Sequence, residues 1–89
     1  MARLIFTQQL ARFLPVPEVA VDAPTLHAAL ERAFSANPQL RSYIVDEQGH
    51  LRENVVVFID GRRAADRVGL QDALLPASTV YILQALSGG

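Results

Sequence analysis

Leu4-Ile5-Phe6, flanked by the polar Arg3 and Thr7, is a short apolar run that predicts a strand, with Leu4 and Phe6 expected on the core face. Pro15 and Pro17 interrupt the chain before Val19-Ala20-Val21. The intervening Gln8 to Leu14 reads as a loop or short turn. The second strand is expected to be short and near a sheet edge, because proline cannot donate to a ladder. The two strands form a hairpin with an irregular connection.

The period then changes. Leu26, Ala29, Leu30, Ala33 and Phe34 fall at i, i+3, i+4, i+7 and i+8, one apolar stripe on a helix of about three turns. Thr25 is the expected N-cap, with Asp22 and Pro24 shaping the approach. Pro38 pushes Asn37 out of the helical region, so the helix is expected to end near Ser35 or Ala36. Arg41 to Val45 reads as strand-like, Asp46-Glu47-Gln48-Gly49 as a turn, and Val55-Val56-Val57-Phe58-Ile59 as the strongest strand in the chain. Asp60-Gly61 is a dipeptide favoured in tight two-residue hairpins, although only the short polar piece Arg62-Arg63-Ala64-Ala65 follows it. Leu70, Leu74 and Leu75 suggest a short helical turn over the core, terminated by Pro76. Thr79 to Leu86 is the closing strand, with Val80 and Ile82 on one face and Tyr81 and Leu83 on the other. The order is that of an α+β domain, a mixed sheet of four to five strands packed on one main helix.

Composition narrows the function classes. The 89 residues allow one domain with one small core, and the formal charge of −1 lacks the basic excess that nucleic-acid binding usually needs. Cysteine is absent, which excludes disulfide and thiol chemistry. The apolar runs are too short to span a bilayer and the N-terminal segment lacks the order of a signal peptide, so no membrane partner is expected and the default location is cytoplasmic. All eight basic side chains are arginine. Apart from the N-terminal amine, the chain therefore offers no amine of its own to acylate.

The open face of the sheet and the end of the chain are the informative places. With Val55, Val57 and Ile59 facing the helix, Phe58 points outward with Tyr81 and Leu83, an aromatic and aliphatic cluster that reads as a recognition patch. Ala85-Leu86-Ser87-Gly88-Gly89 follows the last strand, and Gly88 and Gly89, with no side chains, suit a tail that threads a narrow channel and delivers only its carboxylate. The domain is expected over 1–86 and a flexible tail over 87–89. Elsewhere no self-contained catalytic apparatus emerges: no nucleophile-elbow serine, no glycine-rich phosphate loop and no dense acid cluster. His27 and Glu31, spaced i, i+4, fit a solvated helix face better than a metal site, and no metal is expected. Arg62, Arg63 and Arg67 form a small basic group best explained as a solvated loop, with docking onto an acidic partner second.

These features together resemble the ubiquitin-like β-grasp sulfur carrier proteins, the family of the small molybdopterin synthase subunit and the thiamine-pathway carrier. The resemblance spans nearly the full length. It rests on the opening hairpin, the helix introduced by Thr25-Leu26, Pro38-Gln39-Leu40-Arg41, Val55 through Gly61, the passage from Leu74-Leu75-Pro76 to Thr79-Val80, and Gly88-Gly89. It implies that the Gly89 carboxylate is adenylated by an E1-like adenylyltransferase using ATP and Mg²⁺, and that a sulfur donor protein then yields a thiocarboxylate spent by a sulfur-accepting synthase. Gly88 would match the glycine that lets the tail enter partner sites. Phe58, Tyr81 and Leu83, with Leu86, Arg62 and Arg63 beside them, would form the docking surface. No cofactor is expected on the domain itself, which is a carrier or small subunit rather than an autonomous enzyme. The segment Arg41 to Leu51 is longer than a compact thiamine-type carrier needs and looks more like molybdopterin-type or cysteine-type carriers. A ubiquitin-like modifier joined through Gly89, or an interaction domain without chemistry, remain the alternative readings.

Overall fold

A computed structural model describes residues 1–7, 10 and 18–84. The expected loop between the first two strands, Pro15 and Pro17 within it, and the tail residues Leu86, Gly88 and Gly89 lie outside the described residues, Leu10 excepted. In chain order the elements are β1 (Ala2–Phe6), β2 (Glu18–Val21), α1 (Leu26–Ala36), a 3-10 turn (Pro38–Leu40), α2 (Arg41–Ile44), β3 (Val55–Ile59), β4 (Arg62–Arg63) and β5 (Thr79–Gln84). The five strands form one mixed sheet in the order β2-β1-β5-β3-β4. β5 lies parallel to β1 and antiparallel to β3, so the last strand occupies the centre of the sheet. β2 is at one edge, as expected, paired antiparallel with β1.

One sheet face and α1 enclose the core. Leu4 and Phe6 of β1, Val55 and Val57 of β3, and Val80 and Ile82 of β5 are buried with the full helix stripe Leu26, Ala29, Leu30, Ala33 and Phe34. Thr25 caps α1 as expected. Its backbone is extended and its Oγ1 accepts from the Ala28 N–H at 3.2 Å. At the other end Asn37, at φ −136° and ψ 77°, leaves the helical region ahead of Pro38.

Two expectations are corrected. Arg41 to Val45 is not a strand: Arg41–Ile44 is a helical turn continuing the 3-10 turn that Pro38 opens. Ile44 and Val45 raise the local strand propensity, but helical spacing places Leu40 and Ile44 on one side, and both are fully buried. The same turn sets the Arg41 guanidinium 4.9 Å from the centre of the Phe34 ring and 2.8 Å from Glu31 Oε1. Only Val45 is extended, bridging to Leu51 across the expected Asp46–Gly49 turn. There Asp46 Oδ1 accepts from the N–H groups of Gln48 and His50, and Gly49 adopts φ +82°.

The second correction concerns Leu70 to Leu75, which form no helical turn. The Asp66 carboxylate accepts from the N–H groups of Val68, Gly69 and Gln71, bonds that a helix would have directed to carbonyls. Leu70 follows in a left-handed conformation, φ +57°. Leu70 and Leu74 still cover the core, whereas Leu75 is exposed. The loop also closes the start of α1, because the carbonyls of Asp72 and Leu70 accept from the N–H groups of Leu26 and His27 at 2.9 and 2.7 Å.

Candidate functional site

The face of the sheet turned away from α1 carries the candidate site. Strand alternation and register set its occupants without reference to function. Phe58 stands opposite Tyr81 on β5 and opposite Arg63 on β4, while Val56 stands opposite Leu83. On the other side of β5, Ile5 aligns with Tyr81 and Glu18 with Ile5. One row therefore crosses all five strands: Glu18, Ile5, Tyr81, Phe58, Arg63. Tyr81 is 44% exposed; Ile5, Val56, Phe58 and Leu83 are half-buried. The result is an apolar strip with charge at both margins, where Glu18 is paired with Arg3 at 3.0 Å and Arg63 is exposed.

The expected parity of β3 holds, and Phe58 belongs to the open face. Of the residues singled out from the sequence, Phe58, Tyr81, Leu83 and Arg63 are brought together. Arg62 is not: it stands opposite Ile59, which packs against the core, so it lies on the helix side at the sheet margin. Leu86, Gly88 and Gly89 fall outside the described residues. Ile5 and Val56 were missed. Alternation with Leu4, Phe6 and Val57 marks both as outward-facing, but the pairing of β1 with β5 that brings Ile5 to Tyr81 is non-local.

The start of β5 is tied to the β3–β4 hairpin. Asp60 and Gly61 take φ of +50° and +85°, the left-handed pair that a tight two-residue turn with right-handed strand twist requires. The Asp60 carboxylate accepts from the Thr79 N–H at 2.9 Å and from the Ser78 hydroxyl at 2.8 Å. These bonds, the Thr79 N–H foremost, hold the Asp60 carboxyl below its ordinary pKa. Ser78 Oγ in turn accepts from the Leu75 N–H, which satisfies the buried polar side chain. The direction in which β5 leaves the hairpin is therefore set by backbone and side-chain bonds together.

Among the described residues no group of three or more His, Cys, Asp or Glu is placed to hold a metal ion. Glu31, four residues after His27, is hydrogen-bonded by Arg41 at 2.8 Å, and that bond lowers its pKa. Nor is any described helix long and apolar enough to cross a membrane.

Comparison with solved structures decides the fold. The chain matches SAMP1 from Haloferax volcanii over 99% of its own length and 98% of that chain, at 25% identity and a TM-score of 0.80. It matches a chain of the Amycolatopsis orientalis BexX/CysO complex over 100% of both, at 16% identity and a TM-score of 0.85. The fold is the ubiquitin-like β-grasp. A third β-grasp neighbour, the small archaeal modifier protein 1 of Methanosarcina acetivorans, aligns over 99% of this chain and 95% of that one at 19% identity and a TM-score of 0.84. These β-grasp neighbours are consistent with the resemblance drawn from the sequence. No family model matches the chain and no curated protein matches it by sequence.

Proposed function

We propose that this β-grasp domain is a sulfur carrier whose Gly89 carboxylate is the reacting group. The observation that carries the reading is the position of β5: it is the central strand, it contributes Tyr81 and Leu83 to the apolar strip, and it runs directly towards Ala85 through Gly89 in the sequence. A partner seated on Ile5, Val56, Phe58, Tyr81 and Leu83 would stand beside the residues that follow Gln84. Gly88 and Gly89 add no side chains, so a narrow channel can admit the backbone and its carboxylate.

The chemistry follows from the weakness of a carboxylate as an electrophile. An E1-like adenylyltransferase would couple the Gly89 carboxylate to the α-phosphate of Mg²⁺-bound ATP, releasing pyrophosphate. Sulfur from a donor protein would then displace AMP and leave a thiocarboxylate, a soft nucleophile that a synthase passes to its substrate. The domain supplies the carried atom and the docking face, and its partners supply catalysis. Candidate acceptors are a pterin precursor and an activated serine. The second reading, conjugation of Gly89 to another protein's amine, shares the adenylate. It is favoured by the modifier designation of the Methanosarcina acetivorans neighbour.

Intact-mass measurement after incubation with ATP, a candidate adenylyltransferase and a sulfur donor tests the proposal. Replacement of one oxygen by sulfur at Gly89 supports the carrier, and a covalent adduct with another protein supports the modifier. No change with an adenylyltransferase proven active on this chain counts against both. Deletion of Gly89 should abolish activation and leave the unfolding midpoint unchanged; a deletion variant activated at the normal rate would overturn the assignment.

A further inference from the structure

The row across the open face has a symmetry of its own. From β2 to β4 it runs Glu18, Ile5, Tyr81, Phe58, Arg63: an anion, three apolar side chains and a cation. Tyr81 is the middle member, and the two charged members stand two strands to either side of it. Four strand spacings of about 4.8 Å root the carboxylate and the guanidinium ~19 Å from one another. A partner that matches the whole row must offer a cation and an anion at that spacing, with apolar groups between them. The chain itself offers that pattern.

Rotating a second copy by half a turn, about an axis that runs along β5 midway between two facing sheets, reverses the row and keeps its level along the strand. Tyr81 then faces Tyr81 of the second copy, Ile5 faces Phe58, and Glu18 faces Arg63, so every unlike contact occurs twice. Leu83, two residues along β5, meets its own copy as well. Glu18 can accept across such an interface. Its Oε1 meets Arg3 at 3.0 Å, and a carboxylate has two oxygens with about four acceptor sites. Facing sheets pack about 10 Å apart, a gap that a glutamate and an arginine span together. The usual angle of ~30° between aligned sheets moves the ends of a row, ~10 Å from its centre, by only ~5 Å.

We propose that the open face of the sheet is self-complementary, and that two copies of this chain associate through it as a two-fold dimer. Five strands at ~4.8 Å by the six residues of β5 at ~3.4 Å give a face of at most ~500 Å² per copy. A standard interface covers ~800 Å² per partner, so this dimer is weak and forms reversibly as concentration rises. Its existence does not depend on the fate of Gly89. One consequence does rest on the function proposed above: the dimer covers Phe58, Tyr81 and Leu83, so a self-associated copy is closed to an activating partner until it dissociates.

Sedimentation velocity and light scattering on the full 89-residue chain test the proposal, over about two decades of concentration up to ~1 mM. Wild type should move from monomer mass towards dimer mass at the top of the range. Glu18→Arg and Arg63→Glu, each alone, set like charges together at both unlike contacts and should weaken association about tenfold. Circular dichroism checks that each variant keeps the wild-type fold. An equal mixture of the two single variants should associate again, because every such contact then joins opposite charges, and the double variant Glu18→Arg/Arg63→Glu should self-associate like wild type. Arg62→Glu makes the same change of charge on the helix side and should leave association unchanged. Should Glu18→Arg fold poorly at the sheet edge, Arg63→Glu against Arg62→Glu still reads the contact. Wild type that stays monomeric at ~1 mM overturns the proposal. So does a dimer that Arg62→Glu and Arg63→Glu weaken equally, or a mixture of single variants that associates no better than either alone. None of these readouts involves an activating enzyme, so failed adenylation bears on the proposed function alone.

Discussion

Replacing Phe58 by Asp and, separately, its neighbour Val57 by Asp places the same carboxylate on opposite sides of one strand. Val57 is 1% exposed in the core between the sheet and α1. An ionised group there forfeits about 1.5–3 kcal/mol of side-chain burial and adds a desolvation cost of several kcal/mol. A domain of this length has roughly 4–13 kcal/mol of stability in total, so Val57→Asp should abolish cooperative unfolding or leave only a residue of it. Phe58 is half-buried on the open face. Losing about half of its burial costs ~1 kcal/mol and poor strand propensity up to ~1 more, while the opposing Arg63 returns a few tenths. With a guanidinium slope of ~3 kcal/mol/M, the midpoint should fall by about 0.5 M. The assay is guanidinium unfolding followed by circular dichroism, then adenylation kinetics, where Phe58→Asp should raise KM for the activating enzyme with kcat little changed. A Phe58→Asp variant that unfolds, or a Val57→Asp variant with a near-native midpoint, would refute the assignment of the two faces.

Removing the α1 cap with Thr25→Ala should cost ~1 kcal/mol, read as a fall of about 4–8 °C in Tm; an unchanged Tm would show that the Thr25–Ala28 bond contributes nothing. Gly61→Ala tests backbone strain without collision, because a Cβ there meets nothing within 4 Å although φ is +85°. A loss of about 1–2 kcal/mol is expected in chemical denaturation, and a neutral result would mean that the Asp60-Gly61 turn relaxes freely. Acid should destabilise the fold in a defined direction. Glu31 is held below its ordinary pKa chiefly by its bond from Arg41, Asp46 by the His50 N–H, Asp60 by the Thr79 N–H and Asp66 by the Gly69 N–H. Carboxyls lowered in the folded state contribute stability that is fully present above about pH 5 and is lost as pH falls through their folded pKa values. Urea midpoints should therefore drop steadily below about pH 5, and Asp66→Asn should flatten that drop; a midpoint that rises on acidification would contradict the shifts.

Local chemistry alone determined much of this protein. The α1 stripe, its Thr25 cap and its end before Pro38 are set within one local stretch of sequence by periodicity, a hydroxyl and a ring. The outward parity of Phe58, Tyr81 and Leu83 follows from alternation, and the tight turn from Asp60-Gly61. The two misread segments are those where partners distant in sequence overrule propensity: Arg41 to Ile44 is helical because Leu40 and Ile44 must enter the core together and Arg41 meets Glu31 and Phe34. Leu70 is left-handed because Asp66 takes the amides around it while the Leu70 carbonyl caps α1. Only the tertiary structure decided that β5 lies centrally between β1 and β3, since strand order depends on non-local pairing that no local pattern encodes. That decision aligns Ile5 with Tyr81 and Phe58 in one row across the open face.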